Sequence, residues 1–310
     1  MWIFPLLIEN SFRGSAYELK LKGLFTMENI NLQLYSFGDE RPLTLLEKIK
    51  ITGEMGFAGV EFAGGYDDIP VEEMKKALAD AGVKAVSAHV GLQKLEKDLP
   101  YLAELGVKLI ICPMASFNTK EEAKELADEL NAFGKKCAPY GIKTGYHNHT
   151  DEFYKVDGKY LFDWLMEYSD PENVAFEIDC GWCSAAGVDP VEYINSHKGR
   201  IAAIHIKENN AVIGSELPPS RHDTKPRWDI KMGEDGKPIF PPEFLAMIAE
   251  HEKLNCPQGQ GIVDWKAIKA AADAQYDGVL YIVEREASYN DPKDRVACMK
   301  EDIKWLKANV

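Results

Sequence analysis

Short apolar runs alternate with amphipathic stretches along most of this chain. The apolar runs are rich in Val, Ile, Leu and Phe, the composition of strands that are buried on both faces. Apolar positions in the intervening stretches recur every three or four residues, which predicts helices. The predicted strands cover residues 30–37, 59–64, 84–90, 108–114, 143–149, 174–179, 201–208 and 278–286.

The predicted helices carry the usual start and stop signals. Pro70 precedes a helical pattern that ends at Gly82, which is the expected placement of proline and glycine. Other helical patterns cover residues 44–53, 120–140, 161–168, 264–274 and 292–308, and another begins at Asp189-Pro190. Eight strand-then-helix units without a break in composition predict a single (β/α)8 TIM barrel over residues 27–310. In that fold the active site lies at the C-terminal ends of the strands.

Two segments fall outside this repeat. Residues 1–26 begin with an apolar stretch that lacks the basic region of a signal peptide, and we interpret them as an N-terminal extension. Residues 209–258 form a long, proline-rich insertion after strand seven, in which only 244–254 has a helical pattern. Long loops of this kind usually cover a binding site or form an interface, and a disordered excursion is the alternative.

Four of the predicted strands end in side chains that bind metals. His147 ends strand five, and Asp179, His205 and Glu284 end strands six, seven and eight. Such groups are costly at the tip of a buried strand unless they are paired or bound to a cation. A core histidine or a salt bridge would explain one of them, but four coincident tips predict a divalent-metal site. Ligands of this kind suit Mn²⁺, Mg²⁺, Co²⁺ or Zn²⁺.

Charge and cysteine content narrow the class of protein. The chain has 36 basic and 50 acidic residues and a net charge of -14, which argues against a nucleic-acid or anionic-membrane surface. No apolar run approaches the roughly 20 residues that span a bilayer. Six scattered cysteines in a chain of this size predict reduced thiols and a cytoplasmic location. The CxxC spacing of Cys180 and Cys183 leaves a redox pair as a minor alternative.

Six motifs in the expected order give the chain a family resemblance. They are Gly59-Val60-Glu61, the run 86–92, Tyr146-His147-Asn148-His149, Asp179-x-Gly181-Trp182 with Ala186-Gly187-x-Asp189-Pro190, His205-x-Lys207-Glu208, and Gly259-x-Gly261-x-x-Asp264-Trp265. Together they resemble the sugar phosphate isomerase/epimerase superfamily, the xylose-isomerase-like barrels, which include inosose dehydratases and ketose 3-epimerases. The likeness covers about residues 28–310, without the insertion.

The resemblance implies a metal held by Glu, Asp, His and Glu on strands five to eight, with Mn²⁺ as the first choice. Asp179, His205 and Glu284 match the last three positions. His147 stands where many members have glutamate, and Trp182 stands where several have a substrate-binding histidine. The first departure puts a mirror-symmetric epimerisation between two carboxylates in doubt.

The resemblance also implies proton abstraction next to the carbonyl of a sugar or cyclitol, through an enediolate. Glu284 or His149 would take the proton, and neutral imidazole suits that role near pH 7. Lys207 would neutralise an oxyanion, or else form a salt bridge with Glu208 or Glu286. The expected substrate contacts are Glu61, His89, Trp182 and Glu286. Glu177 lies on the same face as Asp179 but deeper, and it receives no role.

The expected function is a metal-dependent sugar isomerase or epimerase, with a dehydratase or lyase on a keto-sugar or keto-cyclitol as the alternative. A non-catalytic sugar-binding or partner subunit is the alternative of another class. Endonucleases with this barrel need a larger ligand set and a cationic groove, which seven histidines and the charge of -14 do not favour. Barrels of this group commonly form dimers or tetramers, so the resemblance leaves a homo-oligomer open.

Overall fold

The computed structural model describes residues 27, 29–38, 42–224, 228, 230–233 and 238–310. The predicted N-terminal extension, residues 1–26, lies outside this range. Eight parallel strands form one sheet that closes into a barrel, and each bears the number of its place along the chain. They are β1 (Ile30–Gln33), β2 (Gly59–Phe62), β3 (Lys84–His89), β4 (Leu109–Cys112), β5 (Lys143–Tyr146), β6 (Phe176–Asp179), β7 (Ile201–Ile206) and β8 (Leu280–Val283).

The strand order confirms the TIM barrel. Neighbouring strands follow one another from β5 back to β1 and then continue through β8, β7 and β6. The remaining gap, between β5 and β6, is closed by two parallel bridges, Thr144 with Val174 and His147 with Glu177. These two bridges form the seam of the barrel, and the second joins His147, a predicted metal ligand, to Glu177.

Helices surround the barrel where the apolar spacing predicts them. They are α1 (Leu45–Met55), α2 (Val71–Ala81), α3 (Leu95–Leu105), α4 (Lys120–Cys137), α5 (Leu161–Tyr168), α6 (Cys180–Ala185), α7 (Pro190–Ser196), α8 (Pro242–Glu252), α9 (Trp265–Asp273) and α10 (Arg295–Asn309). Side chains cap several of them: Thr44 and Glu47 form a reciprocal capping box at α1. Within the described residues, none of the helices is both long enough and apolar enough to cross a membrane.

Local hydrogen bonds account for the main differences from the predicted elements. The first strand ends at Gln33, because its side chain accepts a hydrogen bond from Tyr35 N and starts a 3-10 turn. The sequence pattern did not predict α6, which begins directly after Asp179 and is capped by that carboxylate. The sequence pattern also missed a short β-hairpin, in which the two-residue strand Lys155–Val156 pairs with Lys159–Tyr160.

Side chains inside the barrel lie in layers because alternate residues of a strand face the same way. On β7 and β8 the lower layer is apolar, with Ala203 and Ile282 fully buried, whereas β6 places the carboxylate of Glu177 in register with Ala203. Two residues further along the same strands come His205 and Glu284. Gly145 makes room at the seam, since a Cβ there would lie 1.7 Å from Ala175 O. His205 and Glu284 therefore lie directly above buried apolar side chains of their own strands.

The described part of the chain between β7 and α9 contacts the barrel at several places. It starts beside its own end, where Asn209 and Asn255 form an antiparallel bridge. Further along, Arg221 reaches α4 and places its NH2 nitrogen 2.5 Å from Glu129 Oε1. The predicted helix 244–254 is found as α8, two residues earlier. Because α4 follows β4, residues 209–221 extend from strand seven to a helix that is not adjacent to it in the barrel.

Candidate active site

The four predicted metal ligands meet at the mouth of the barrel. His147, Asp179, His205 and Glu284 each offer a ligand atom, and these atoms all lie within 4.8 Å of one another. We call these four residues the outer ligand set. His205 Nδ1 lies 3.2 Å from Glu284 Oε2 and 4.0 Å from Asp179 Oδ2. The strand tips therefore converge as the sequence predicts.

The hydrogen bonds of Asp179 leave one of its oxygens for a cation. Oδ1 accepts a hydrogen bond of 2.7 Å from Trp182 N at the start of α6. Oδ2 is buried and has no hydrogen-bond partner among the described residues. A buried carboxylate oxygen without a donor costs free energy unless a cation neutralises it. The carboxylate and imidazole donors of the outer set fit a divalent ion.

Burial and neighbouring charges separate the pKa values in the outer set. Burial raises the pKa of Asp179 to about 8. Burial also lowers the pKa of His147 to about 3, so its imidazole is neutral at pH 7, the form that binds metals. Burial alone would raise the pKa of Glu284, but the hydrogen bond and charge of His205 lower it overall.

Glu177, which the sequence left without a role, lies at the centre of the imidazoles. Its Oε1 is 2.7 Å from His89 Nε2, 3.0 Å from His147 Nδ1 and 2.9 Å from His205 Nε2. The twofold spacing to Asp179 was the one signal in the sequence, and it indicated depth but not partners. Glu177 therefore helps to orient the imidazoles of His147 and His205 in the outer set and that of the neighbouring His89.

Glu61 and His89, the predicted substrate contacts on β2 and β3, belong to the same buried network. Glu61 Oε1 lies 2.8 Å from His205 Nε2 and 3.2 Å from His89 Nε2. It also accepts a hydrogen bond of 2.8 Å from Gln33 Nε2. Burial and the charge of Glu177 raise the pKa of Glu61. Burial would lower the pKa of His205, but the carboxylates of Glu177 and Glu61 raise it well above its usual range.

Lys207 lies beside the outer set and is 1% exposed. Its Nζ is 2.5 Å from Glu286 Oε1 and 3.7 Å from the centre of the Trp182 ring. Of the two predicted partners, the structure pairs Lys207 with Glu286 and not with Glu208. Because the ammonium covers one face of Trp182, that face is not open to a sugar ring.

Two histidines border the Lys207 side of the site. The His149 ring centre lies 5.1 Å from that of His147 and 6.1 Å from that of Trp182. His251, from α8, lies 5.2 Å from Trp182 on the same measure. The sequence did not single out His251. The pattern of a proline-rich segment does not show which part of the barrel that segment contacts.

Glu208, the residue after Lys207, points away from the mouth and holds a loop. Its carboxylate accepts hydrogen bonds from Gly259 N at 2.8 Å, Trp265 Nε1 at 2.7 Å and Val263 N at 3.3 Å. The Gly259-x-Gly261 motif thus lies around a carboxylate of the protein itself.

The CxxC pair does not have the surroundings of a redox centre. Cys180 and Cys183 are both buried free thiols within α6. Burial raises the pKa of each thiol well above its usual range, which disfavours the reactive thiolate.

Comparison with known proteins identifies the family. Residues 49–309 match the family described as xylose isomerase-like TIM barrel. The chain belongs to this family. An inosose dehydratase of Geobacillus thermodenitrificans is 25% identical over 259 residues, which cover 74% of this chain and 78% of that protein.

Two solved structures show the same barrel. A sugar phosphate isomerase/epimerase from Parabacteroides distasonis superposes with a TM-score of 0.67 at 24% identity, over 90% of this chain and 97% of that one. An IOLI protein with a bound zinc atom superposes with a TM-score of 0.61 at 13% identity, over 91% and 99% of the two chains. At these identities the likeness concerns the fold.

Proposed function

We propose that this xylose isomerase-like barrel is a divalent-metal-dependent enzyme that removes a proton next to the carbonyl of a sugar or cyclitol. The observation that carries the proposal is the outer ligand set, in which Asp179 Oδ2 has no hydrogen-bond partner among the described residues and beside which the Lys207 ammonium lies. A bound divalent ion such as Mn²⁺ would polarise the substrate carbonyl and stabilise the negative charge of an enediolate.

The residues around the outer set supply the other parts of the chemistry. His149 is partly exposed at the mouth and can accept a proton from the carbon next to the carbonyl. Glu284 is the alternative base, because its carboxylate belongs to the outer set and is ionised, but its lowered pKa makes it a weak proton acceptor. Lys207 is held by Glu286 and offers a fixed positive charge to an oxygen of the substrate. These roles lead first to isomerisation or epimerisation, in which the proton returns to the same or the neighbouring carbon.

Dehydration is the second candidate, and the position of His147 favours it. Symmetric epimerisation needs a second base on the opposite face of the substrate. His147 is buried, its Nδ1 is bound to Glu177 Oε1, and its pKa is about 3, so it is a poor proton acceptor near pH 7. Loss of a β-hydroxyl needs only one base, because the proton that the base takes from the α-carbon can be passed to the leaving hydroxyl, which departs as water. The similarity to an inosose dehydratase supports this candidate.

Elemental analysis combined with deuterium uptake tests the proposal. The protein is purified without chelator or affinity metal, offered Mn²⁺ and desalted, beside the variants Asp179→Asn and His205→Ala. We expect bound metal in the wild type, with deuterium from D₂O entering a ketose or a cyclitol ketone. Both should be lost in the variants. Asp189→Asn is the matched control, since Asp189 only caps α7 and asparagine caps equally well.

The outcomes separate the candidates. Deuterium in recovered sugar or its epimer supports isomerase chemistry, whereas an unsaturated or deoxy-keto product with one water fewer supports dehydration. Activity retained in Asp179→Asn or His205→Ala would contradict the proposal. A wild-type protein that takes up neither metal nor deuterium would favour the non-catalytic sugar-binding alternative.

A further inference from the structure

A row of four aromatic rings leads from the outer ligand set to α8. The ring centres of His147 and His149 lie 5.1 Å apart, and those of His149 and Trp182 lie 6.1 Å apart. His251 continues the row, with its ring centre 5.2 Å from that of Trp182. His147 belongs to the outer ligand set, whereas His251 comes from the insertion after strand seven. The insertion therefore adds a side chain of its own to the surroundings of the site.

The backbone at the C-terminal end of α8 is fixed to the end of β7. Asn209 and Asn255 form an antiparallel bridge, and Asn210 N donates a hydrogen bond of 3.1 Å to Leu254 O. Leu254 is 5% exposed and belongs to the same buried apolar cluster as Trp182. The histidine in the last turn of this helix is thus held in place beside the site. A side chain that is already ordered can recognise a substrate at a smaller cost in entropy.

Partly exposed side chains mark where the site opens to solvent on this side. His149 and His251 are half-buried, and the side chain of Glu286 is 25% exposed. Asp179 and His205, by contrast, are fully buried. A molecule that enters between the three partly exposed side chains to reach the outer ligand set would therefore contact His251.

The hydrogen-bonding groups beside α8 fit a hydroxyl group. Trp182 Nε1 is buried and has no hydrogen-bond partner among the described residues. An indole N–H can only donate, and leaving it buried and unpaired costs free energy. The imidazole of His251 can donate through one nitrogen and accept through the other. A hydroxyl group satisfies both residues, because its oxygen accepts from the indole while its proton is donated to the imidazole.

The charges around His251 favour an uncharged group over a phosphate or a carboxylate. Glu286, Lys207 and Asp151 are close enough to act on this imidazole through their charges. These are two carboxylates against one ammonium, and Glu286 already pairs with Lys207 at 2.5 Å. An anionic substituent beside α8 would therefore gain no net attraction, whereas a hydroxyl group brings no charge into the site.

We propose that His251 is a specificity-determining residue, which binds a substrate hydroxyl group remote from the carbonyl together with Trp182 Nε1. The inference rests on the proposed function, because it takes the reacting carbonyl to lie at the outer ligand set. It adds that the substrate carries an uncharged hydroxyl group, and not a phosphate, at the position that faces α8.

The substrate preferences of His251→Phe test this inference. Phenylalanine keeps a ring against Trp182 and removes both nitrogens. The probes are an inosose and a ketohexose, each beside its monodeoxy analogues, and kcat/KM is measured with the Mn²⁺-loaded protein. We expect the wild type to prefer the parent ketone to one analogue by about tenfold to hundredfold, because that analogue leaves the site's polar groups unpaired. His251→Phe should lose this one preference and keep those at the other positions.

Two further variants separate recognition from structure. His251→Gln keeps a donor and an acceptor and should retain most of the preference. His222→Phe is the matched control, since His222 lies in the same segment with its side chain 64% exposed and paired with Glu125. It should keep every preference of the wild type. A merely structural role of His251 would lower kcat/KM for all analogues alike, and metal analysis and circular dichroism check that each variant keeps its ion and its fold.

The outcomes distinguish this inference from the proposed function. If neither ketone takes up deuterium with the wild-type protein, the proposed function fails and the role of His251 fails with it. If the wild type takes up deuterium but His251→Phe keeps the same preferences among the analogues, the role of His251 alone is overturned. A uniform loss across all analogues would overturn it as well.

Discussion

The Nζ atom of Lys207 lies 3.7 Å above the centre of the Trp182 ring, next to the candidate metal site. The two residues come from different elements, because Lys207 follows β7 and Trp182 belongs to α6. Gly181 allows this approach: a Cβ at that position would lie 2.2 Å from Lys207 O. The backbone thus holds the ammonium in place, and the indole and Glu286 stabilise its charge in a buried position.

Replacing Lys207 with methionine should lower kcat and leave metal binding intact. Methionine fills similar space but removes the fixed charge that would stabilise an oxyanion, so we expect a loss of about 10²- to 10³-fold in kcat. Steady-state kinetics and metal analysis on the same preparation check this. Lys293→Met, which removes an exposed ammonium paired with Glu252, is the control and should leave kcat unchanged. A kcat for Lys207→Met within a few-fold of the wild type would contradict the role of Lys207.

Metal binding should tighten as the pH rises from 6 toward 8. The pKa of Asp179 is raised to about 8 by burial, and the pKa of His205 is raised by Glu177 and Glu61. Asp179 holds its proton in the metal-free protein below about pH 8, the raised pKa of His205 favours its protonated form, and an ion must displace these protons. Each displaced proton makes the apparent affinity rise about tenfold per pH unit.

Competition with a metal-binding dye at pH 6, 7 and 8 measures this slope. Calorimetry in two buffers of different ionisation enthalpy gives the number of protons released. A dissociation constant that does not change over this range would show that Asp179 and His205 are not displaced from their protons by the ion.

The outer set could be predicted from sequence and the contacts of Glu177 could not, for a physical reason. His205 and Glu284 each end an apolar run, and a polar group at the tip of a parallel strand must face the mouth of the barrel. Glu177 follows the same rule two residues deeper, but its partners His89 and His147 come from strands three and five. Sequence spacing gives the depth of a side chain along its own strand and says nothing about which imidazole lies across the barrel.

The segment between β7 and α9 shows a second limit. Its helix was predictable from apolar spacing, but the contacts of Arg221 and His251 depend on the path of a proline-rich chain. Glu208 is similar, because its three donors follow it by more than fifty residues. Interactions that span such distances leave no periodic pattern.

Glu208→Gln should destabilise the fold by about 2–4 kcal/mol. The carboxylate accepts from Gly259 N, Val263 N and the Trp265 indole, and an amide would turn its NH₂ group toward one of these donors. Urea unfolding followed by circular dichroism measures the change in the free energy of unfolding. Glu243→Gln, on the exposed side of α8, is the matched control and should stay within about 0.5 kcal/mol. Equal stability of the two variants would contradict the role of Glu208.

Arg221→Ala should release the middle of the β7–α9 segment from the barrel without unfolding it. Arg221 binds Glu129 on α4, and neighbouring His222 lies 2.9 Å from Glu125 Oε2. Pairs near the surface contribute little, so we expect less than about 1 kcal/mol of global stability to be lost. Limited proteolysis should nevertheless cut residues 209–258 several times faster. Lys124→Ala removes an exposed pair within α4 and should leave the cleavage rate unchanged.

The seam between β5 and β6 would give an ion that binds there a role in closing the barrel. Only two bridges close the barrel there within the described residues, and His147 and Glu177 form one of them. A cation with ligands from both strands would link β5 to β6, where the strands are held together most weakly. Loss of the metal would then loosen the barrel between β5 and β6 and not everywhere. Backbone amide hydrogen exchange would become faster in these two strands first and then in their neighbours. Such a protein would couple the closing of its barrel to the binding of the ion that the proposed chemistry requires.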